Sequence, residues 1–89
     1  MRHELEAILG CELRFLAIAT RERLALAQKE MARRLEMSES SYSDIETGKT
    51  KCSALTSILI LDMQDDPREF FQRLKTKFAE CYETEMKTV

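Results

Sequence analysis

Tryptophan is absent, proline occurs once and glycine twice in 89 residues. So few turn formers leave little room for tight turns. No stretch alternates apolar and polar residues with β-branched side chains, so strands are not expected. No apolar run approaches the roughly 20 residues that span a bilayer, so no membrane helix is expected. The opening MRHELEAIL is too acidic and too broken for a secretory signal. The three cysteines, Cys11, Cys52 and Cys81, lie 41 and 29 residues apart. That spacing suits neither a disulfide framework nor a zinc site, and implies free thiols packed as small apolar groups in a reducing cytoplasm. An excess of basic charge is also missing: 14 Lys and Arg face 16 Asp and Glu, for a net charge of −2. The deficit is concentrated in residues 38–66, which carry two basic and six acidic residues.

What is abundant is Ala, Leu, Glu, Arg and Met, all strong helix formers. The length fits one domain over residues 1–89 with a small core. Five helices are expected. The first spans about Glu4 to Leu24, with Leu5, Ile8, Leu9, Leu13, Leu16 and Ala19 as its inward stripe and Gly10 as a possible break. The second runs from Gln28 to about Leu35, with Met31, Ala32 and Leu35 inward. Glu36 and Met37 form a turn, and Ser38 caps a third helix that runs to Thr47 and closes on Gly48. Ser53 caps a fourth helix, with Leu55, Ile58, Leu59 and Leu61 inward. Asp66-Pro67-Arg68-Glu69 starts a fifth that runs to about Tyr82, with Phe70, Phe71, Leu74, Phe78, Cys81 and Tyr82 on one stripe.

The second and third helices are short, and a turn of about three residues separates them. This arrangement sets two helices at a steep angle and exposes the second. Ala32 is small where they must approach, and Met37 can plug the junction. At Gln28-Lys29-Glu30-Met31-Ala32-Arg33-Arg34-Leu35, Met37-Ser38 and Tyr42-Ser43-Asp44-Ile45-Glu46-Thr47-Gly48-Lys49 the chain resembles the Cro/lambda-repressor-type (XRE-like) helix-turn-helix family. The resemblance covers about residues 13–71. It implies an all-α, compact five-helix lambda-repressor-like DNA-binding domain, with residues 67–82 as its last helix.

The resemblance also implies double-stranded DNA as partner, bound as a homodimer, with residues 39–47 in the major groove. Gln28, at the start of the second helix beside Lys29, would hold a phosphate. Glu39, Ser40, Ser41, Ser43 and Asp44 would face the groove, Lys49 and Lys51 would contact the backbone, and Lys29 and the cap residue Ser38 would also belong to the DNA-binding set. Tyr42 and Ile45 belong to the core, and Glu46 is a structural residue holding the end of the third helix. The chain departs from the family at Glu39 and Asp44, where Arg, Gln or Lys is frequent, and at Ala25 and Cys52, where Gly and Pro or Val are frequent. No cofactor, metal or catalytic constellation is expected. The acidic third helix also supports a second reading: an interaction module that has lost DNA and binds a basic protein partner.

Overall fold

The computed structural model describes residues 1–87 as five helices: α1 (Arg2–Arg23), α2 (Gln28–Arg34), α3 (Glu39–Glu46), α4 (Ala54–Asp62) and α5 (Arg68–Lys87). The chain is all-helical, as its composition implies. Gly10 does not divide α1, which runs unbroken for 22 residues, and α5 extends five residues past the expected end at Tyr82. Among the described residues no helix is long and apolar enough to cross a membrane.

The side-chain caps fall where the sequence put them. The Ser38 hydroxyl accepts from the Ser41 amide at 3.1 Å, and that of Ser53 from the Thr56 amide at 3.2 Å. Asp66 accepts from the Arg68 amide at 3.1 Å.

The other ends of α1, α2 and α3 close in one common way. After α1, the Ala25 amide donates to Glu22 O and the Leu26 amide to Arg21 O. After α2, Glu36 donates to Arg33 O and Met37 to Ala32 O. After α3, Gly48 donates to Ile45 O and Lys49 to Asp44 O. Each is a Schellman closure, with the first residue beyond the cap in the left-handed region. The φ angles there are 55° for Ala25, 57° for Glu36 and 81° for Gly48. Only the third position is glycine, so Ala25 and Glu36 sit against the Cβ penalty of that region. The hydrophobic residues that follow, Leu26 and Met37, pack on the core and hold the strain in place.

This predicts opposite signs for two similar changes. Ala25→Gly should raise stability by about 0.5–1 kcal/mol, because relief of the penalty exceeds the added freedom of the unfolded chain. Gly48→Ala should lower it by about 1–2 kcal/mol, because a Cβ there meets an unfavourable φ, while the Arg14 guanidinium 3.6 Å away is in ordinary contact and adds no clash. Thermal unfolding of both variants reads the signs directly. A destabilised Ala25→Gly would show that the first closure is misplaced.

Two joined clusters form the core. One gathers Ala17, Met31, Ala32, Leu35, Tyr42 and Ile60, with Leu16, Leu26, Met37, Cys52, Leu59 and Met63 packed on it. The other joins Leu13, Phe70 and Leu74, with Ile8, Leu61 and Phe78 against them.

Three of the expected inward stripes need correction. On α1 the buried positions are Leu13, Ala17 and Thr20, while Ala19 and Leu9 are exposed. The register is therefore rotated toward a small, close-packed face. On α4 the buried positions are Thr56 and Ile60, and Leu55 and Ile58 are 64% and 62% exposed. On α5, Phe70 and Leu74 are buried but Phe71 and Tyr82 are exposed. Of the cysteines, Cys52 and Cys81 are half-buried, but Cys11 is exposed and does not pack as an apolar group.

Thr20 is buried without loss of hydrogen bonding. Its hydroxyl donates to Leu16 O at 2.6 Å and accepts from Gln64 Nε2 at 2.9 Å.

Candidate nucleic-acid interface

Helices α2 and α3 pack on each other through Met31, Ala32, Leu35 and Tyr42, all 2% exposed or less. Ala32, at 1% exposure, lies buried in this junction and fills it with a single methyl group. Glu36 in its left-handed conformation reverses the chain, and Met37 tucks half-buried into the junction. The result is a seven-residue helix, a turn and an eight-residue helix, with the second rooted by Tyr42 and Ile45.

At 100° per residue, burial of Tyr42 and Ile45 turns Ser40 and Thr47 directly outward, sets Ser43 and Asp44 on the two shoulders of that face and leaves Glu39 and Ser41 to its sides. The expected groove-facing set is therefore gathered on one surface, but its members differ. Ser38 and Ser41 are engaged with each other: the Ser38 hydroxyl donates to Ser41 Oγ at 2.9 Å as well as capping the helix. Glu39 and Ser40 are exposed, and Ser43 and Asp44 are half-buried. Thr47 closes the helix expected in the groove but was not among the residues expected to face it. It completes the i, i+3, i+7 row begun by Ser40, and its hydroxyl points back to Asp44 O at 3.3 Å.

The base of this surface is held by Glu46. Its carboxylate takes Arg21 Nε at 2.6 Å and Arg21 Nη2 at 3.2 Å, and Gln28 Nε2 donates to it at 2.9 Å. The Glu46 backbone carbonyl accepts from Arg14 Nε at 2.8 Å. One residue thus ties α1, α2 and α3 together, and the expectation of a structural role for Glu46 is met. Desolvation works to raise the Glu46 carboxyl, but Arg21, the neighbouring Tyr42 hydroxyl and Gln28 outweigh it and hold the group below the usual carboxylate range. The Tyr42 hydroxyl is buried beside this pair, near enough to the Glu46 carboxylate to act on it electrostatically but without a well-aligned hydrogen bond among the described residues. Burial, with the Glu46 charge, pushes its phenol well up.

Gln28 is therefore not simply aimed at solvent. One amide hydrogen is committed to Glu46, leaving the other for an outside acceptor.

The basic residues separate. Lys29 is exposed on α2. Lys49 is exposed and adjoins the outward face, because its amide bonds Asp44 O at 2.8 Å and that of Thr50 bonds the same oxygen at 3.2 Å. Lys51 is displaced from this face. It lines a groove of about 220 Å³ between α1 and the loop after α3, together with Glu6, Gly10, Cys11 and Arg14. Arg33 and Arg34 are exposed on α2, and Arg33 lies 3.6 Å from Glu30 on its own helix.

The sequence profile described as a helix-turn-helix domain matches residues 8–59, more than half of the chain. The match starts earlier and stops sooner than the expected 13–71, so it holds the α2–α3 pair but not α5. Neither the curated proteins nor the solved structures contain a match to this chain.

Proposed function

We propose that this chain, which belongs to the helix-turn-helix domain family, is a sequence-specific DNA-binding transcriptional regulator of the phage- or plasmid-repressor or antitoxin kind, acting as a homodimer and without enzymatic activity. The observation that carries this reading is the outward row Ser40, Ser43, Asp44 and Thr47 on a short helix whose root is locked by Tyr42, Ile45 and Glu46. A fixed polar helix can enter the major groove without paying much conformational entropy there.

In this reading the hydroxyls of Ser40, Ser43 and Thr47 accept from or donate to base edges, and Asp44 accepts from cytosine N4. Glu39 and Ser41 flank the same groove face, and Ser38 caps the helix at its entrance. Lys29, Lys49 and the second amide hydrogen of Gln28 take phosphates, and these contacts position rather than specify. Lys51, further from the row, adds charge to the backbone side.

A second reading has its own observation. With Glu46 spent on Arg21, α3 still carries Glu39 and Asp44 on its outer side and has no Lys or Arg. That surface fits a basic protein partner.

Selection of bound sequences from a random duplex pool at low salt separates the two. The regulator reading expects an enriched motif made of two inverted half-sites about one helical turn apart. A pool left unenriched, with one protein recovered stoichiometrically from nuclease-treated extract, would replace it with the second reading.

A further inference from the structure

The groove between α1 and the loop after α3 has two lobes, which share Glu6, Gly10, Lys51 and Cys52. The first, of about 220 Å³, is also lined by Arg14, Ile45 and Gly48. The second, of about 140 Å³, continues over Leu9 and Leu13. One end of the groove is therefore cationic and the other apolar. Gly10 lies in the floor of both lobes, and a Cβ built there meets nothing within 4 Å. The groove is thus open where any other residue would begin to fill it. Both volumes fall below the roughly 300–1,000 Å³ of sites for drug-sized ligands, so a matching occupant is small.

Arg14 says which chemistry fits. It is half-buried, and its Nε is fixed by donation to the Glu46 backbone carbonyl at 2.8 Å. Its guanidinium carbon sits 5.5 Å from the centre of the Phe15 ring. Neither contact supplies a full negative charge, and the Glu46 carboxylate is spent on Arg21 and Gln28. No carboxylate pairs with Arg14 or with Lys51 among the described residues. Glu6, at the rim, is bonded by Arg2 at 3.1 Å. A charge drawn partly out of water is costly unless it is paired. With Nε fixed, both Nη groups of Arg14 are left to bond an anion in the groove.

We propose that this groove binds a small organic monocarboxylate. Its carboxylate takes the Nη groups of Arg14 and the Lys51 ammonium, and its apolar body lies over Gly10 toward Leu9 and Leu13. A guanidinium fork matches the plane of a carboxylate. A bare anion would meet the same cations but leave the apolar lobe unused. The loop that closes the groove, residues 48–52, also carries Lys49. An occupied groove therefore holds a phosphate-contacting lysine in place and favours the DNA-bound form. That use rests on the regulator reading, whereas the binding itself needs no DNA.

Titration of the isotope-labelled whole chain with benzoate, followed by its backbone amide resonances and with no DNA present, tests it. The expected result is a set of saturable shifts centred on residues 10, 11 and 48–52, with a Kd of about 0.1–5 mM. Benzamide has the same shape without the charge, and inorganic phosphate has the charge without the apolar body. Each should bind at least about tenfold more weakly than benzoate. Gly10→Leu fills the floor of the groove and suits a helix better than glycine, so it should abolish binding with the helical circular dichroism intact. Arg14→Lys should weaken binding roughly 5- to 20-fold, and Glu6→Gln should strengthen it about 2-fold. Shifts that do not saturate, or that lie elsewhere on the chain, would overturn the proposal. So would phosphate binding as tight as that of benzoate, or binding indifferent to Gly10→Leu and Arg14→Lys. Duplex selection would still report on DNA binding in either case, so failure of one inference is not failure of the other.

Discussion

Glu46→Ala is expected to lower the stability of the fold by about 2–4 kcal/mol. The Glu46 side chain is 8% exposed and its partner Arg21 21%. Removing the carboxylate leaves a largely buried guanidinium facing no counter-charge, and deprives Gln28 of its acceptor. A fold of this length has on the order of 4–13 kcal/mol in total, so the midpoint of thermal unfolding should fall by roughly 10–25 °C. Glu46→Gln should cost less, since it keeps the shape and one acceptor.

The same site sets a pH dependence. Because the Glu46 carboxyl is held below its ordinary value in the folded chain, its contribution is fully present above the unfolded value. It is lost as pH falls through the folded one. Wild-type stability should therefore decline below about pH 4.5, and the decline should be shallower in Glu46→Ala. Urea unfolding at neutral and acid pH checks both statements. A change under about 0.5 kcal/mol at neutral pH would mean that the pair is no more than a surface contact.

Lys49→Glu is expected to weaken DNA binding roughly 10- to 100-fold at moderate salt while leaving unfolding unchanged. Lys49 is exposed and its amide, not its side chain, joins the closure of α3, so the fold does not depend on its charge. In a dimer the change removes two phosphate contacts and adds two repulsions. The slope of log affinity against log salt should thus become shallower by about 2. Lys51→Glu should do less, because Lys51 lies over the groove beside Glu6 and Arg14 rather than along the α3 row. Equal effects at the two positions would argue for general charge attraction.

The contrast between Gly48 and Ala25 shows where sequence was informative. Glycine after α3 announces a left-handed closure, and serine at 38 and 53 announces a cap, because each residue type suits its position locally. Ala25 and Glu36 adopt the same closure against their own preference, so neither residue type marks it, and only the family's frequent Gly at position 25 hinted at the first. They are held by Leu26 and Met37 in the core, which only the folded chain assembles.

Helix α4 misled for another reason. Leu55, Ile58, Leu59, Ile60 and Leu61 are apolar nearly all round, so periodicity could not choose a face. The structure buries Thr56 and Ile60 instead.

In the candidate site, Ser40, Ser43 and Asp44 were carried over from the family resemblance, and their place on the outer side of α3 agrees with the burial of Tyr42 and Ile45. Thr47 extends the same row, and its spacing from Ser40 and Ser43 was the signal that could have found it. The bond from Gln28 to Glu46 was not legible, since it joins side chains 18 residues apart on different helices.

If the α3 row reads DNA sequence, the protein must distinguish duplexes of equal composition. The most direct measurement is competition binding at 150 mM salt between the duplex enriched from the random pool and a scrambled duplex of the same composition. The enriched duplex is expected to bind at least about 10³-fold more tightly, and changing Ser43 and Asp44 to alanine should collapse this preference. Equal binding of the two duplexes, or a preference indifferent to those residues, would contradict sequence reading by the α3 row.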